Sequence, residues 1–129
     1  MVIDTSAIIA ILKGEPEAPL LLAKIATADV CRISAATLVE IGIVARRDTT
    51  GAVEHAVQTL LHDYAIRVEA VDERHARIAL GAFSRYGKGT GSPARLNFGD
   101  VFSYALAQEK GEPLLFKGND FARTDVPAA

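Results

Sequence analysis

The chain alternates between short runs of β-compatible residues and longer stretches whose apolar positions recur every three or four residues, and this alternation restricts its fold more than any other feature. The short runs are Val2-Ile3, Val30 to Ile33, Ile66 to Val71 and Pro113 to Phe116. A chain that passes repeatedly from strand through amphipathic helix to strand builds a mostly parallel sheet covered by helices, an α/β fold. With 129 residues it can bury one core but not two, so a single domain over residues 1–129 is expected.

The helices have readable boundaries. Asp4, Thr5 and Ser6 are capping residue types ahead of a first helix through Leu12, which Lys13-Gly14 ends. Pro16 is expected to open a second helix through about Ala28, and Ser34 to cap a third over Ala35 to Arg47, with Leu38, Ile41 and Ala45 as its apolar stripe. Gly51 to Tyr64 and Asp72 to Tyr86 read as two covering helices. The stretch Tyr86 to Pro93 holds three alternating glycines and must be a loop. It leads to Leu96-Asn97-Phe98-Gly99-Asp100, after which Val101, Tyr104, Ala105 and Gln108 mark a helix that Lys110-Gly111 stops.

Composition narrows the class. Half of the residues are hydrophobic and 23% are charged, which excludes a disordered or fibrous chain. The formal net charge is −2, so a nucleic-acid partner would have to be held by local positive patches and bound metal rather than by bulk charge. The single cysteine, Cys31, has no internal partner, reads as a packed thiol and fits a reducing cytoplasm. The first apolar run, bracketed by Asp4 and Lys13, is too short to span a membrane, and neither a signal peptide nor a transmembrane helix is expected.

Four acids carry the functional signal. In an open parallel sheet the binding crevice lies beyond the carboxyl ends of the strands. Asp4 directly follows the first strand, and Asp120, in Gly118-Asn119-Asp120-Phe121, follows the last. Glu40 sits in a segment, Ala35 to Val44, so apolar that an ionised carboxylate there calls for a cation or a donor. Asp100 opens a helix built for burial. Taken singly, Asp4 and Asp100 could be helix caps, Asp120 a turn residue and Glu40 a residue reaching out to water. Taken together, they describe a set of hard oxygen ligands suited to Mg²⁺ or Mn²⁺, which offsets their mutual repulsion and activates water for phosphodiester hydrolysis.

In order, Val2-Ile3-Asp4-Thr5-Ser6, Ala36 to Glu40, Leu96 to Ala105 and Gly118 to Phe121 resemble the PIN-domain family, specifically its VapC-like toxins. The resemblance covers nearly the whole chain and implies a three-layer α/β/α sandwich whose central, mostly parallel sheet has four to five strands. It also implies a Mg²⁺-dependent endoribonuclease, with Mn²⁺ also supporting activity, acting as the toxin of a toxin–antitoxin pair. Asp4, Glu40 and Asp100 match the family's acidic metal positions, and Asp120 its more variable fourth acid, which acts directly or through water. Thr5, Ser6 and Asn119 match polar supporting positions. The implied partners are an RNA substrate, a cognate antitoxin held against the apolar early helices, and a second copy of the chain; no membrane is involved.

Arg85, Lys88 and Arg95 give the glycine-rich loop a positive charge and are candidates for RNA contact. His55, His62 and His75 lack the pairing of a zinc site and are expected at the surface. A receiver domain or a dehalogenase-like phosphatase would also place an Asp after a strand. The former needs an early acidic pair, and the latter a second acid where Ser6 stands. The remaining alternative is a catalytically weak PIN-fold module that binds or regulates together with an antitoxin.

Overall fold

The computed structural model describes residues 1–129. Its elements follow in the order β1 (Val2–Ile3), α1 (Thr5–Leu12), α2 (Ala18–Thr27), β2 (Arg32–Ser34), α3 (Ala35–Ala45), α4 (Ala52–Asp63), β3 (Arg67–Glu69), α5 (Glu73–Tyr86), α6 (Asp100–Lys110) and β4 (Leu114–Leu115). A 3₁₀ turn, Phe121–Arg123, lies beyond β4. The four strands form one parallel sheet in the order β3-β2-β1-β4, with Val2 paired to both Arg32 and Leu114. The edge at β4 is extended by the last residues: Leu114 N–H donates to the Pro127 carbonyl at 2.9 Å, and Ala129 N–H to the Leu114 carbonyl at 3.0 Å.

Strand residues alternate between the two faces of the sheet, and each face has its own core. Ile3, Ile33 and Leu115 pack with Ile8, Leu21, Ile25 and Ile41 under the first four helices. Val2 and Leu114 pack on the other face with Ala79, Leu96, Val101, Tyr104 and Leu106 under α5 and α6. This is the three-layer α/β/α sandwich. Cys31 is buried against the first core.

Several boundaries differ from those read in the sequence. Helix α2 begins at Ala18 rather than Pro16, because Glu15 to Ala18 form a turn closed by an Ala18 N–H to Glu15 carbonyl bond of 2.8 Å. Pro19 then lies within the first turn, where a missing N–H costs nothing. Strand β3 is shorter than Ile66 to Val71, and β2 runs one residue further, to Ser34, whose hydroxyl accepts from Ala36 N–H and starts α3. His75 is the clearest correction: it is fully buried, not at the surface. Its Nε2 lies 3.0 Å from the Phe102 carbonyl, so the ring is wedged between α5 and α6.

Candidate metal centre

Strands β2 and β3 extend to one side of β1, and β4 lies on the other. β1 is therefore where the strand order reverses, and the crevice of such a sheet opens at the carboxyl ends of the strands flanking that point. A cleft of ≈ 460 Å³ occupies this place, and Asp4, Glu40, Asp100 and Asp120 all line it. They arrive from the ends of β1 and β4, the middle of α3 and the first turn of α6.

Asp4 divides its two oxygens between two tasks. Oδ2 caps α1, accepting from Ser6 N–H at 2.8 Å and from Ser6 Oγ–H at 2.7 Å. Oδ1 is buried and has no hydrogen-bond partner. A buried carboxylate oxygen left unpaired is costly, so it calls for a cation or a donor not supplied by the fold itself. Capping and ligation are thus compatible roles for this residue.

Glu40 is held from two sides. Thr5 Oγ1 donates to Glu40 Oε2 at 2.5 Å, and the carboxylate lies flat against Gly99. A Cβ on residue 99 would stand 2.5 Å from Oε2 and 2.6 Å from Oε1, closer than any real side chain tolerates. Glycine at the start of α6 is what lets this carboxylate reach the cleft.

Asp100 is the first residue of α6, and its cap position is Gly99, which has no side chain, so the acceptor for the first N–H groups comes from Asn97. Asn97 Oδ1 accepts from Gly99 N–H at 2.7 Å and Asp100 N–H at 2.9 Å, while Asn97 N–H donates to Asp100 Oδ2 at 2.7 Å. Burial pushes the Asp100 carboxyl up to about 7, reinforced by the charges of Asp4, Asp120 and Glu40 and opposed by the Asn97 N–H. Asp120, at the start of the 3₁₀ turn, is exposed at the rim and makes no cap hydrogen bond.

An orphaned buried oxygen on Asp4, an Asp100 that resists ionisation and an all-oxygen donor set fit a hard divalent cation. As they stand, no three His, Cys, Asp or Glu side chains gather tightly enough to enclose a bare ion.

Thr5 and Ser6 line the cleft, whereas Asn119 is exposed and does not. Arg85, Lys88 and Arg95 are also outside its lining. Arg85 is engaged elsewhere, 3.1 Å from Asp125 Oδ2 and stacked over the Tyr86 ring. Sequence reasoning missed three residues of the site. Asn97 and Gly99 shape it as described, and Lys117 is the one cation lining the cleft. For Lys117 a signal existed, since it follows the same strand as Asp120 and precedes it by three residues.

The fold and the acid cleft define a class, and the chain belongs to the PIN-domain family, whose domain matches residues 1–127. Within the family its relatives are VapC ribonucleases. It is 48% identical over 129 residues to Ribonuclease VapC42 of Mycobacterium tuberculosis, covering 100% of this chain and 98% of that one. It is 45% identical over 128 residues to Ribonuclease VapC of Mycolicibacterium smegmatis, covering 99% and 98%. Among solved structures, the sarcin–ricin-loop-cleaving toxin VapC20 of Mycobacterium tuberculosis shares the fold, with a TM-score of 0.78 at 20% identity over 99% of this chain and 97% of that one. A toxin–antitoxin complex from Klebsiella pneumoniae matches with a TM-score of 0.72 at 19% identity, covering 99% and 95%. No helix is long and apolar enough to cross a membrane.

Proposed function

We propose that this chain is a Mg²⁺-dependent endoribonuclease, with Mn²⁺ as an effective substitute, and the toxin of a toxin–antitoxin pair. The observation that carries the reading is the convergence of Asp4, Glu40, Asp100 and Asp120 on one cleft in which Asp4 Oδ1 is buried without a partner. Asp4, Glu40 and Asp100 would hold the cation, with Asp120 reaching it directly or through a water. A divalent cation bound there supplies Lewis acidity toward a phosphate oxygen and toward the attacking water, which is the chemistry that phosphodiester hydrolysis needs.

The protein residues contribute position and charge. Ser6 fixes Asp4 by two hydrogen bonds, and Thr5 with Gly99 fixes Glu40. Asp100, whose carboxyl burial and its acidic neighbours push up to about 7, would add a full negative charge to the ligand set once a bound cation displaced its proton. Lys88 and Arg95, exposed on the loop that precedes Asp100, are available to an RNA strand crossing the cleft mouth.

The antitoxin reading is supported by the VapC relatives and by a groove of ≈ 250 Å³ between α2 and β4, into which Leu20, 62% exposed, projects. Pairing with a second copy is supported by an apolar surface on which Val39, Ile43, Leu80 and Phe98 are all at least 60% exposed. The activity is tested by incubating the purified protein with RNA and Mg²⁺ or Mn²⁺. Cleavage is expected to stop with excess chelator and in Asp4→Asn. Full activity in either condition would contradict the metal-nuclease reading. Growth arrest on induced expression, relieved by a short neighbouring reading frame, is the expected sign of a toxin.

A further inference from the structure

The acid cleft holds five carboxylates, those of Asp4, Glu15, Glu40, Asp100 and Asp120, and a single basic side chain, Lys117. The lysine's main chain is fixed to the metal-site acid. Its N–H donates to Ser6 Oγ at 3.0 Å, and that hydroxyl in turn donates to Asp4 Oδ2 at 2.7 Å. Its ammonium is held away from Asp4 and Asp120, paired with Glu15 and lying 3.3 Å from Glu17, both on the connection between α1 and α2.

Two physical consequences follow. An ammonium resting on Asp4 or Asp120 would occupy the place of a divalent ion, and Glu15 with Glu17 prevents this by giving it another seat. That seat is also easy to leave. The ion pairs are partly solvated, and solvated pairs of this kind contribute little to stability. An RNA phosphate entering a cleft lined by acids meets repulsion from all of them. Lys117 is the only side chain in the lining with the charge to receive it.

We propose that Lys117 is the substrate-phosphate contact of the cleft, its ammonium seated on Glu15 and Glu17 in the free protein and transferred to a non-bridging oxygen of the RNA backbone on binding. The proposal rests on the ribonuclease reading and names the part of the substrate that the site recognises. Glu15 and Glu17 then act as positioning residues, which keep the charge near the ligand acids without letting it compete with the cation.

The test is the rate of cleavage of a mixed-sequence single-stranded RNA transcript in Mg²⁺, measured over a series of KCl concentrations. Lys117→Ala is expected to raise KM roughly three- to tenfold with a smaller change in kcat, and to reduce the salt slope of log(kcat/KM) by about 0.7, one phosphate contact on a single strand. Lys117→Arg is expected to retain most of the wild-type KM. Glu17→Gln, which loosens the seat without touching the ligand acids, is expected to lower KM. Unchanged KM and salt slope in Lys117→Ala would overturn the proposal while leaving the nuclease reading intact. A rise in KM for Glu17→Gln matching that of Lys117→Ala would show a structural brace and overturn it too. A wild-type protein that cleaves no RNA in Mg²⁺ would overturn the nuclease reading and, with it, this proposal.

Discussion

Gly99 and Glu40 lie in direct contact across the junction of α6 and α3, with the glutamate carboxylate filling the space that any side chain at position 99 would need. Gly99→Ala therefore has to move Glu40. Backbone strain is not the reason, since φ at Gly99 is −69° and alanine adopts that freely. The expected outcome is a loss of RNA cleavage of about 10²-fold, the scale of a misplacement near 1 Å. Stability should change by less than about 1 kcal/mol in denaturant titration.

Thr5 supplies the hydroxyl that orients the same carboxylate, at 2.5 Å. Thr5→Val keeps the shape and removes the donor. Because partners that orient a metal ligand typically account for 10–100-fold in affinity, Mg²⁺ affinity measured by calorimetry should fall by roughly that factor. Wild-type affinity in this variant would show that Glu40 does not depend on Thr5.

Asp100 makes the metal-free protein sensitive to pH, and the sign follows from a folded-state pKa raised from 3.8 to about 7. The unfolded chain releases this proton first as pH rises. Stability linked to Asp100 is thus fully present below about pH 4, declines as pH rises toward 7 and is lost above it. A shift of about three units corresponds to an upper bound of ~4 kcal/mol, and partial solvent screening brings the expectation to about 1–2 kcal/mol. In EDTA, Asp100→Asn should be more stable than wild type by that amount at pH 8 and equal to it near pH 4. Mg²⁺ should stabilise the wild type more at pH 8 than at pH 6, where a proton still competes for the site. Thermal unfolding at the three pH values, with and without Mg²⁺, measures both effects.

His75 is a structural residue despite its chemistry. Its ring is fully buried, Nε2 bonds the Phe102 carbonyl at 3.0 Å, and Nδ1 has no partner, the nearest acid being Glu109 at 3.6 Å. His75→Ala opens a cavity between α5 and α6 and removes that bond. A loss of roughly 2–4 kcal/mol is expected in urea titration. RNA cleavage per folded molecule should match that of the wild type, because the ring does not line the cleft.

The parallel sheet and the four acids were readable because each depends on local pattern: strand and helix periods for the sheet, and carboxylates at strand ends or in an apolar helix for the site. What escaped depends on contacts between distant segments. Gly99 matters only because α3 brings Glu40 against it, and Lys117 only because β4 lies beside β1. Arg85 reads as an open cation until Asp125 folds back onto it from 40 residues away. His75 follows an Asp72 cap whose side chain it meets through its N–H, and its polar identity hides that the α5 face it occupies turns inward onto α6.

The pairing of β1 with β4 has a consequence for the order in which the molecule is made. Val2 waits for Leu114, and Asp4 for Asp120, so the first strand has its place in the sheet long before its outer neighbour leaves the ribosome. Contacts so remote in sequence carry a loop-closure cost that slows their formation. The four acids therefore meet only when nearly the whole chain has been translated, and a growing or truncated polypeptide that ends before Asp120 lacks the assembled cleft.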